Sequence, residues 1–143
     1  MSLDESLIIC IHMICNKYKI ENYKINDDGS IDVIGDVDLG REGLTELPLQ
    51  FRNVTGGFNC WGNLLTTLQG APQTVGKDFD CFQNHLTTLE GAPHKVGWSL
   101  ICTNNMLTSL KGAPRVIGRD FVCYNNPDLS EEERADYMKR IGR

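Results

Sequence analysis

Positive charge is in short supply. Fourteen Lys and Arg stand against nineteen Asp and Glu, a formal net charge of −5. The deficit is local: Asp4, Glu5, Glu21, Asp27, Asp28, Asp32, Asp36, Asp38, Glu42 and Glu46 outnumber Lys17, Lys19, Lys24, Arg41 and Arg52 over residues 1–56, while 57–143 is neutral. Such a chain has no broad basic surface on which to hold a phosphate backbone by counterion release, which argues against a nucleic-acid partner. Long apolar runs are missing too. The longest, Leu7 to Cys15, is broken by His12, whereas a bilayer needs about 20 residues, so no membrane partner is expected. It makes no secretory signal either, because Asp4 and Glu5 stand where positive charge belongs. The expected compartment is therefore the cytoplasm, where the six cysteines stay thiols.

Chemical motifs are equally scarce. Zinc sites are usually built from two Cys-x₂₋₄-Cys pairs; Cys10 and Cys15, five apart, are the one pair that close, and the remaining cysteines stand 21 apart and offer no second pair. His12, His85 and His94 fall in no nucleophile, metal or phosphate motif. Gly76, Gly97 and Gly118 are too dispersed for a phosphate loop. The chain is expected to be no enzyme, with no cofactor. At 143 residues, 41% apolar and 23% charged, it is enough for one folded domain.

What the sequence does have is a repeat. Cys60, Cys81, Cys102 and Cys123 follow one another at 21 residues, in register with Asn63, Asn84, Asn105 and Asn126 and with Phe58, Phe79, Leu100 and Phe121. Leu65, Leu86 and Leu107, then Leu68, Leu89 and Leu110, then three Gly-Ala-Pro triplets at 70–72, 91–93 and 112–114 keep the same interval. An earlier unit is legible in Val37, Leu39, Leu44 and Leu47, with Leu39 in the Cys place, Glu42 in the Asn place and Pro48 ending it early. Phe79 and Cys81 alternate with Asp80 and Phe82, the period of a strand buried on one face. Asn84 ends that strand with an amide able to bond open backbone groups of a neighbouring unit, and Gly-Ala-Pro closes the coil. A lone coil cannot bury its apolar edge; stacked coils can. Phe-x-Cys-x-x-Asn-x-Leu-x-x-Leu fits the leucine-rich repeat, at a length that predicts an outer side extended or 3₁₀. The fold class is thus an α/β repeat: a short solenoid of about five parallel-strand coils, with the cysteine column as small buried packing residues.

The ends read as caps. Asp4 to Lys17 reads as a helix, its isoleucines leaving a strand open. Tyr23–Asn26 and Ser30–Val33 flank Asp27-Asp28-Gly29, a hairpin signal. Ser130 and Glu133 form a capping box for a helix whose apolar stripe is Ala135, Met138 and Ile141. The single domain divides into an N-terminal cap at 1–35, repeats at 36–127 and a C-terminal capping helix at 128–143.

The residues beside each buried Cys define a face, expected to be the concave one. Its columns are Trp61, Phe82, Thr103 and Tyr124 (after Gly40); Asn59, Asp80, Ile101 and Val122 (after Asp38); and Gly57, Asp78, Ser99 and Asp120 (after Asp36). Three large aromatics would then line up, flanked by Ile101, Val122, Trp98 and Met106, with an acidic end at Asp36, Asp38, Asp78 and Asp80. Cross-strand contact alone can account for such aromatics. The other account is a protein-binding surface made by Trp61, Phe82, Tyr124, Asp80, Ile101, Val122, Asp78 and Thr103, its acidic end suited to a partner with a basic edge.

The unit Phe-Asp-Cys-Phe-Gln-Asn-His-Leu-Thr-Thr-Leu-Glu-Gly-Ala-Pro (79–93), and the leader 23–33 running into Gly-Leu-Thr-Glu-Leu-Pro (43–48), resemble small leucine-rich-repeat proteins encoded by tailed bacteriophages and prophages. The likeness covers residues 20–127 and implies fold and origin more than mechanism. The repeats are also similar to those of secreted bacterial effectors that carry a ubiquitin ligase domain, but the stretch after Asn125-Asn126 has room for one helix only. The function expected is a non-enzymatic module that binds and blocks a host defence or regulatory protein in the host cytoplasm. The alternative is a structural or self-associating virion or assembly component, joined as a homo-oligomer through residues 7–15.

Overall fold

In the computed structural model, which describes residues 3–143, helix α1 spans Glu5–Lys17. The Asp4 carboxylate caps it, accepting from the Ser6 N–H at 2.9 Å, with Glu5 in the first turn and Lys17 in the last. Cap and charges both favour the helix, which Ile11 and Cys15 anchor by burying one side. A hairpin follows: β1 (Tyr23–Ile25) and β2 (Ile31–Val33) pair antiparallel. In its turn the Asp28 carboxylate accepts from both the N–H and the hydroxyl of Ser30, which holds that carboxyl below the usual range.

From β2 onward the chain winds. Its strands are β3 (Val37–Asp38), β4 (Phe51–Val54), β5 (Phe58–Asn59), β6 (Thr74–Val75), β7 (Phe79–Asp80), β8 (Lys95–Val96), β9 (Leu100–Ile101), β10 (Val116–Ile117) and β11 (Phe121–Val122), and α2 (Glu131–Arg140) closes the array. They form a six-stranded sheet ordered β1-β2-β4-β6-β8-β10 and a five-stranded sheet ordered β11-β9-β7-β5-β3. Every pairing after the hairpin is parallel, and from β3 on each joins residues 21 apart, as Phe58 with Phe79. The molecule is a β-solenoid: five rungs in the smaller sheet, hence four turns between the first and the last, with a helix at each end. No helix among the described residues is long and apolar enough to cross a membrane.

Each coil carries two strands where the sequence pattern pointed to one. The second comes from the buried column Val54, Val75, Val96 and Ile117, and the corner between the strands from Gly76, Gly97 and Gly118. A Cβ at Gly97 would collide with the carbonyl oxygen of Gly76, and one at Gly118 with that of Gly97. Bare backbone at the corner lets successive coils touch while the chain turns from one sheet into the other. The outer side is accordingly extended, and the N-terminal hairpin is continuous with the solenoid, since β2 already pairs with β4.

Between the sheets lies a dry core. Phe58 and Phe79 stack with ring centroids 5.6 Å apart, and Leu65, Leu68, Leu86, Leu89 and Leu107 are wholly enclosed, each worth about 1.5–3 kcal/mol of burial. Cys60, Cys81 and Cys102 are fully buried and Cys123 nearly so, all as free thiols. The Cys81 thiol donates to the Ile101 carbonyl at 3.3 Å. Each ladder Asn ties its coil to the one before. Asn84 Nδ2 donates to the carbonyls of Cys60 and Cys81 at 3.0 and 3.2 Å, and its Oδ1 accepts from the Leu65 N–H at 3.0 Å.

The C-terminal cap departs from its sequence reading in two respects. Ser130 Oγ accepts from the Glu133 N–H at 3.1 Å, but the Glu133 carboxylate accepts from the Leu110 N–H at 2.9 Å instead of returning to Ser130. One coil earlier the Leu89 N–H donates to the Lys111 carbonyl; no further coil follows Leu110, so Glu133 takes that carbonyl's place. The inward face is also rotated. Ala135 is exposed, while Tyr137 is buried, its ring edge-on to Phe121 at 4.9 Å and its hydroxyl donating to the Pro114 carbonyl at 2.7 Å. Finding acceptors and donors for the last coil's open edge outweighs burying the smaller apolar stripe.

Candidate functional site

The outer face of the five-stranded sheet is set by alternation. Phe58/Cys60, Phe79/Cys81 and Leu100/Cys102 turn inward and are fully buried, so their neighbours must point out. Backbone bonds between coils, such as Cys60 N–H to the Asp80 carbonyl and Cys81 N–H to the Ile101 carbonyl, both 2.9 Å, hold the columns in register.

Trp61 and Phe82 are half-buried and in contact, ring centroids 6.2 Å apart and tilted by 47°. Trp61 leans over the first rung: a Cβ at Gly40 would lie 2.5 Å from its Nε1, so only glycine accommodates the indole. The Arg41 guanidinium covers the ring at 5.4 Å. Tyr124 stands apart and 66% exposed. Between it and Phe82 lies half-buried Thr103, whose Oγ1 accepts from the Tyr124 N–H at 3.2 Å. The row is therefore an aromatic pair, a gap and a single ring, on four successive rungs spanning roughly 14 Å. Ile101 and Val122 form a half-buried apolar strip alongside.

The acidic end is built into the backbone. Asp38, Asp80 and, between them, Asn59 each accept with Oδ1 from the N–H two residues on, at Gly40, Phe82 and Trp61 (2.9, 2.9 and 3.0 Å). Asp36 and Asp78 instead reach the next coil, accepting from the Gly57 and Ser99 N–H groups at 2.8 and 2.9 Å. Each carboxylate thus spends one oxygen on the main chain. The four line an open groove of ≈ 420 Å³ with Asn59, Lys77 and Trp98. Burial and then the nearby charge of Asp78 push the Asp80 carboxyl up from its ordinary value, against the Phe82 N–H that lowers it.

Of the flanking residues, Trp98 sits at the corner between the sheets, with Lys77 at 5.2 Å and the Arg119 guanidinium at 4.2 Å from its ring centroid. Met106 lies off the face, in the exposed loop column that also holds Leu64 and His85. Arg41, Lys77 and Arg119 were not read as part of this face from the sequence. A signal did exist: Lys77, Trp98 and Arg119 share one column at the repeat interval.

The histidines do not converge. His12 Nδ1 lies 2.5 Å from the Tyr23 hydroxyl on the N-terminal cap, and His85 and His94 belong to different loops. Among the described residues no three His, Cys, Asp or Glu side chains come together as metal ligands would. Comparison with family models, curated proteins and solved structures finds no match.

Proposed function

We propose that this chain is a non-enzymatic binding module of the leucine-rich-repeat type, of bacteriophage or prophage origin. It docks a host defence or regulatory protein on the outer face of its five-stranded sheet, in the host cytoplasm. The observation that carries this reading is the pairing of an outward aromatic row with a groove whose four carboxylates each keep an oxygen free. Trp61, Phe82 and Tyr124 supply apolar anchors, Ile101, Val122 and Thr103 the strip between them, and Asp78 and Asp80 the polar edge. The short repeat and its Asn ladder support the leucine-rich-repeat type, and the likeness of units 79–93 and 23–33 supports the phage origin. The test is affinity capture from a bacterial lysate with mass spectrometry, run with the wild type, the triple variant Trp61→Ala/Phe82→Ala/Tyr124→Ala and a control at the remote His85→Ala. A partner held by wild type and control but lost by a folded triple variant supports the reading; one retained by the triple variant moves the site elsewhere.

A second reading is self-association. On α1 the side chains of Ile9 and Met13, four residues apart on one face, are 58% and 66% exposed, an apolar pair that a second copy would cover. Light scattering decides it: a monomer at micromolar concentration removes this reading, and a dimer that Ile9→Glu dissociates sustains it.

A further inference from the structure

Residues 57–143 carry no net charge, yet their cations gather in one place. Where the last two Gly-Ala-Pro turns meet the end of α2, two adjoining cavities of ≈ 590 and ≈ 340 Å³ share Lys111, Arg115 and Arg140 as walls. Such volumes are those of small-molecule sites, about 300–1,000 Å³. The larger cavity is floored by Ala71, Pro72, Ala92 and Ala113, because the turns carry small side chains. Glycine keeps those turns nested: a Cβ at Gly112 would lie 2.4 Å from Glu90 Cα. Gln73, His94 and Arg115 share one repeat column along this cavity. The His94 N–H donates to the Gln73 carbonyl at 2.8 Å and the Arg115 N–H to the His94 carbonyl at 2.9 Å. Three side chains with N–H donors therefore rise along the groove at about 4.8 Å per coil.

The cations are uncommitted. Among the described residues neither Arg115 nor Arg140 pairs with a carboxylate, and Glu90 is the one acid in either wall. Lys111 reaches Glu90 at 3.7 Å, with both side chains more than half exposed; a bridge so open to water holds weakly and yields to a better anion. The Arg140 guanidinium lies over the Tyr137 ring at 5.8 Å, which steadies it at the rim.

We propose that this groove is an anion site for a ligand carrying a chain of two or more phosphates. Two guanidinium forks match phosphate oxygens in pairs, and Lys111 adds a point charge beside them. Three permanent cations against one carboxylate leave an excess that a multiply charged anion neutralises and a single carboxylate does not. The walls span the last two coils, which is too short for a nucleic-acid backbone and agrees with the scarcity of positive charge elsewhere. Inorganic polyphosphate and a nucleoside triphosphate share this chemistry; the second would lay its base on the alanine and proline floor.

The test is calorimetric titration of the full chain at low salt with orthophosphate, inorganic triphosphate and metal-free ATP. Triphosphate or ATP should bind at least about tenfold more tightly than orthophosphate. ATP tighter than triphosphate assigns the nucleotide, and the reverse order assigns inorganic polyphosphate. Absence of binding by both at about 1 mM overturns the site. Arg115→Ala and Arg140→Ala should each weaken the tighter ligand about tenfold, with circular dichroism melting unchanged for Arg115, which is exposed. Glu90→Gln should tighten it several-fold by freeing Lys111. Lys95→Ala removes an exposed charge outside both walls and should leave affinity within about twofold of wild type. Equal losses in Lys95→Ala and Arg115→Ala would reduce the binding to general charge attraction and overturn the proposal, as would wild-type affinity in Arg115→Ala.

Discussion

Asn84→Ala is the sharpest probe of what holds one coil to the next. Removing the amide deletes three bonds, to the Cys60 carbonyl, the Cys81 carbonyl and the Leu65 N–H. The three losses are unequal. The Cys60 carbonyl keeps the bond from Asn63 at 3.0 Å, and the Cys81 carbonyl keeps the one from Asn105 at 3.0 Å. The Leu65 N–H has Asn84 as its acceptor and would be buried with none. An orphaned buried donor costs about 1–3 kcal/mol and each shared bond about 0.5–1.5, so the change should destabilise the protein by roughly 3 kcal/mol. Urea unfolding followed by circular dichroism measures it, with His85→Ala, one residue on and exposed, as a control expected within about 0.5 kcal/mol of wild type. Asn84→Asp separates acceptor from donor. The carboxylate could still accept from Leu65 but would face two carbonyl oxygens, so its folded-state pKa should rise above the unfolded value of about 3.9. The penalty should then be present at pH 7 and shrink as the pH falls through the folded value, where the protonated acid can donate again. A loss below about 1 kcal/mol for Asn84→Ala, or an Asn84→Asp penalty independent of pH, would refute this account of the ladder.

Further outcomes follow from other contacts. Gly97→Ala should cost about 2–4 kcal/mol in the same unfolding assay, because the added methyl meets main chain that cannot move without shifting a whole coil. Asp32 is held below the usual carboxylate range by Arg52, whose Nε and Nη2 donate to it at 3.1 and 2.5 Å. The stability it contributes is present above about pH 4 and lost as the pH falls through its folded value; Asp32→Asn should lower stability at pH 7 and flatten the acid limb of the melting temperature. Asp80 has the opposite sign. Its raised carboxyl makes ionisation a burden at neutral pH, so Asp80→Asn, which retains the acceptor for Phe82, should leave the fold as stable or more so at pH 7 while weakening a basic partner. Tyr137→Phe keeps the ring against Phe121 but strands the Pro114 carbonyl, and should lower stability by about 1 kcal/mol.

Much of the architecture could be read from letters alone because the code is repeated. A column such as Cys60, Cys81, Cys102 and Cys123 reports one physical environment four times, and the inward turn of Phe79 and Cys81 follows from alternation. The second sheet was harder to see: its strands β6, β8 and β10 are two residues long and each buries a single apolar residue, Val75, Val96 or Ile117. Its corner glycines signal crowding between coils, which only the stacked backbone reveals. The cap's true inward residue, Tyr137, lost to Ala135 in a count of apolar positions because the deciding bonds run to Leu110 and Pro114 in another coil. On the outer face the columns were legible but their occupancy was not. Gly40 gives no hint that an indole lies over it, and the acids read as free charges although each also serves the main chain.

The Asn ladder makes this protein extensible. Each amide serves its own coil and the one before, so a segment of one repeat length, cut at any matching pair of positions, can be copied or excised with every donor and acceptor still matched. Unequal recombination in the gene would lengthen or shorten the ribbon by about 4.8 Å per copy while the terminal helices, keyed to the first and last turns, went on fitting. Breadth of contact with a partner would then change in whole increments, and each new increment would arrive with its outward positions free to diverge.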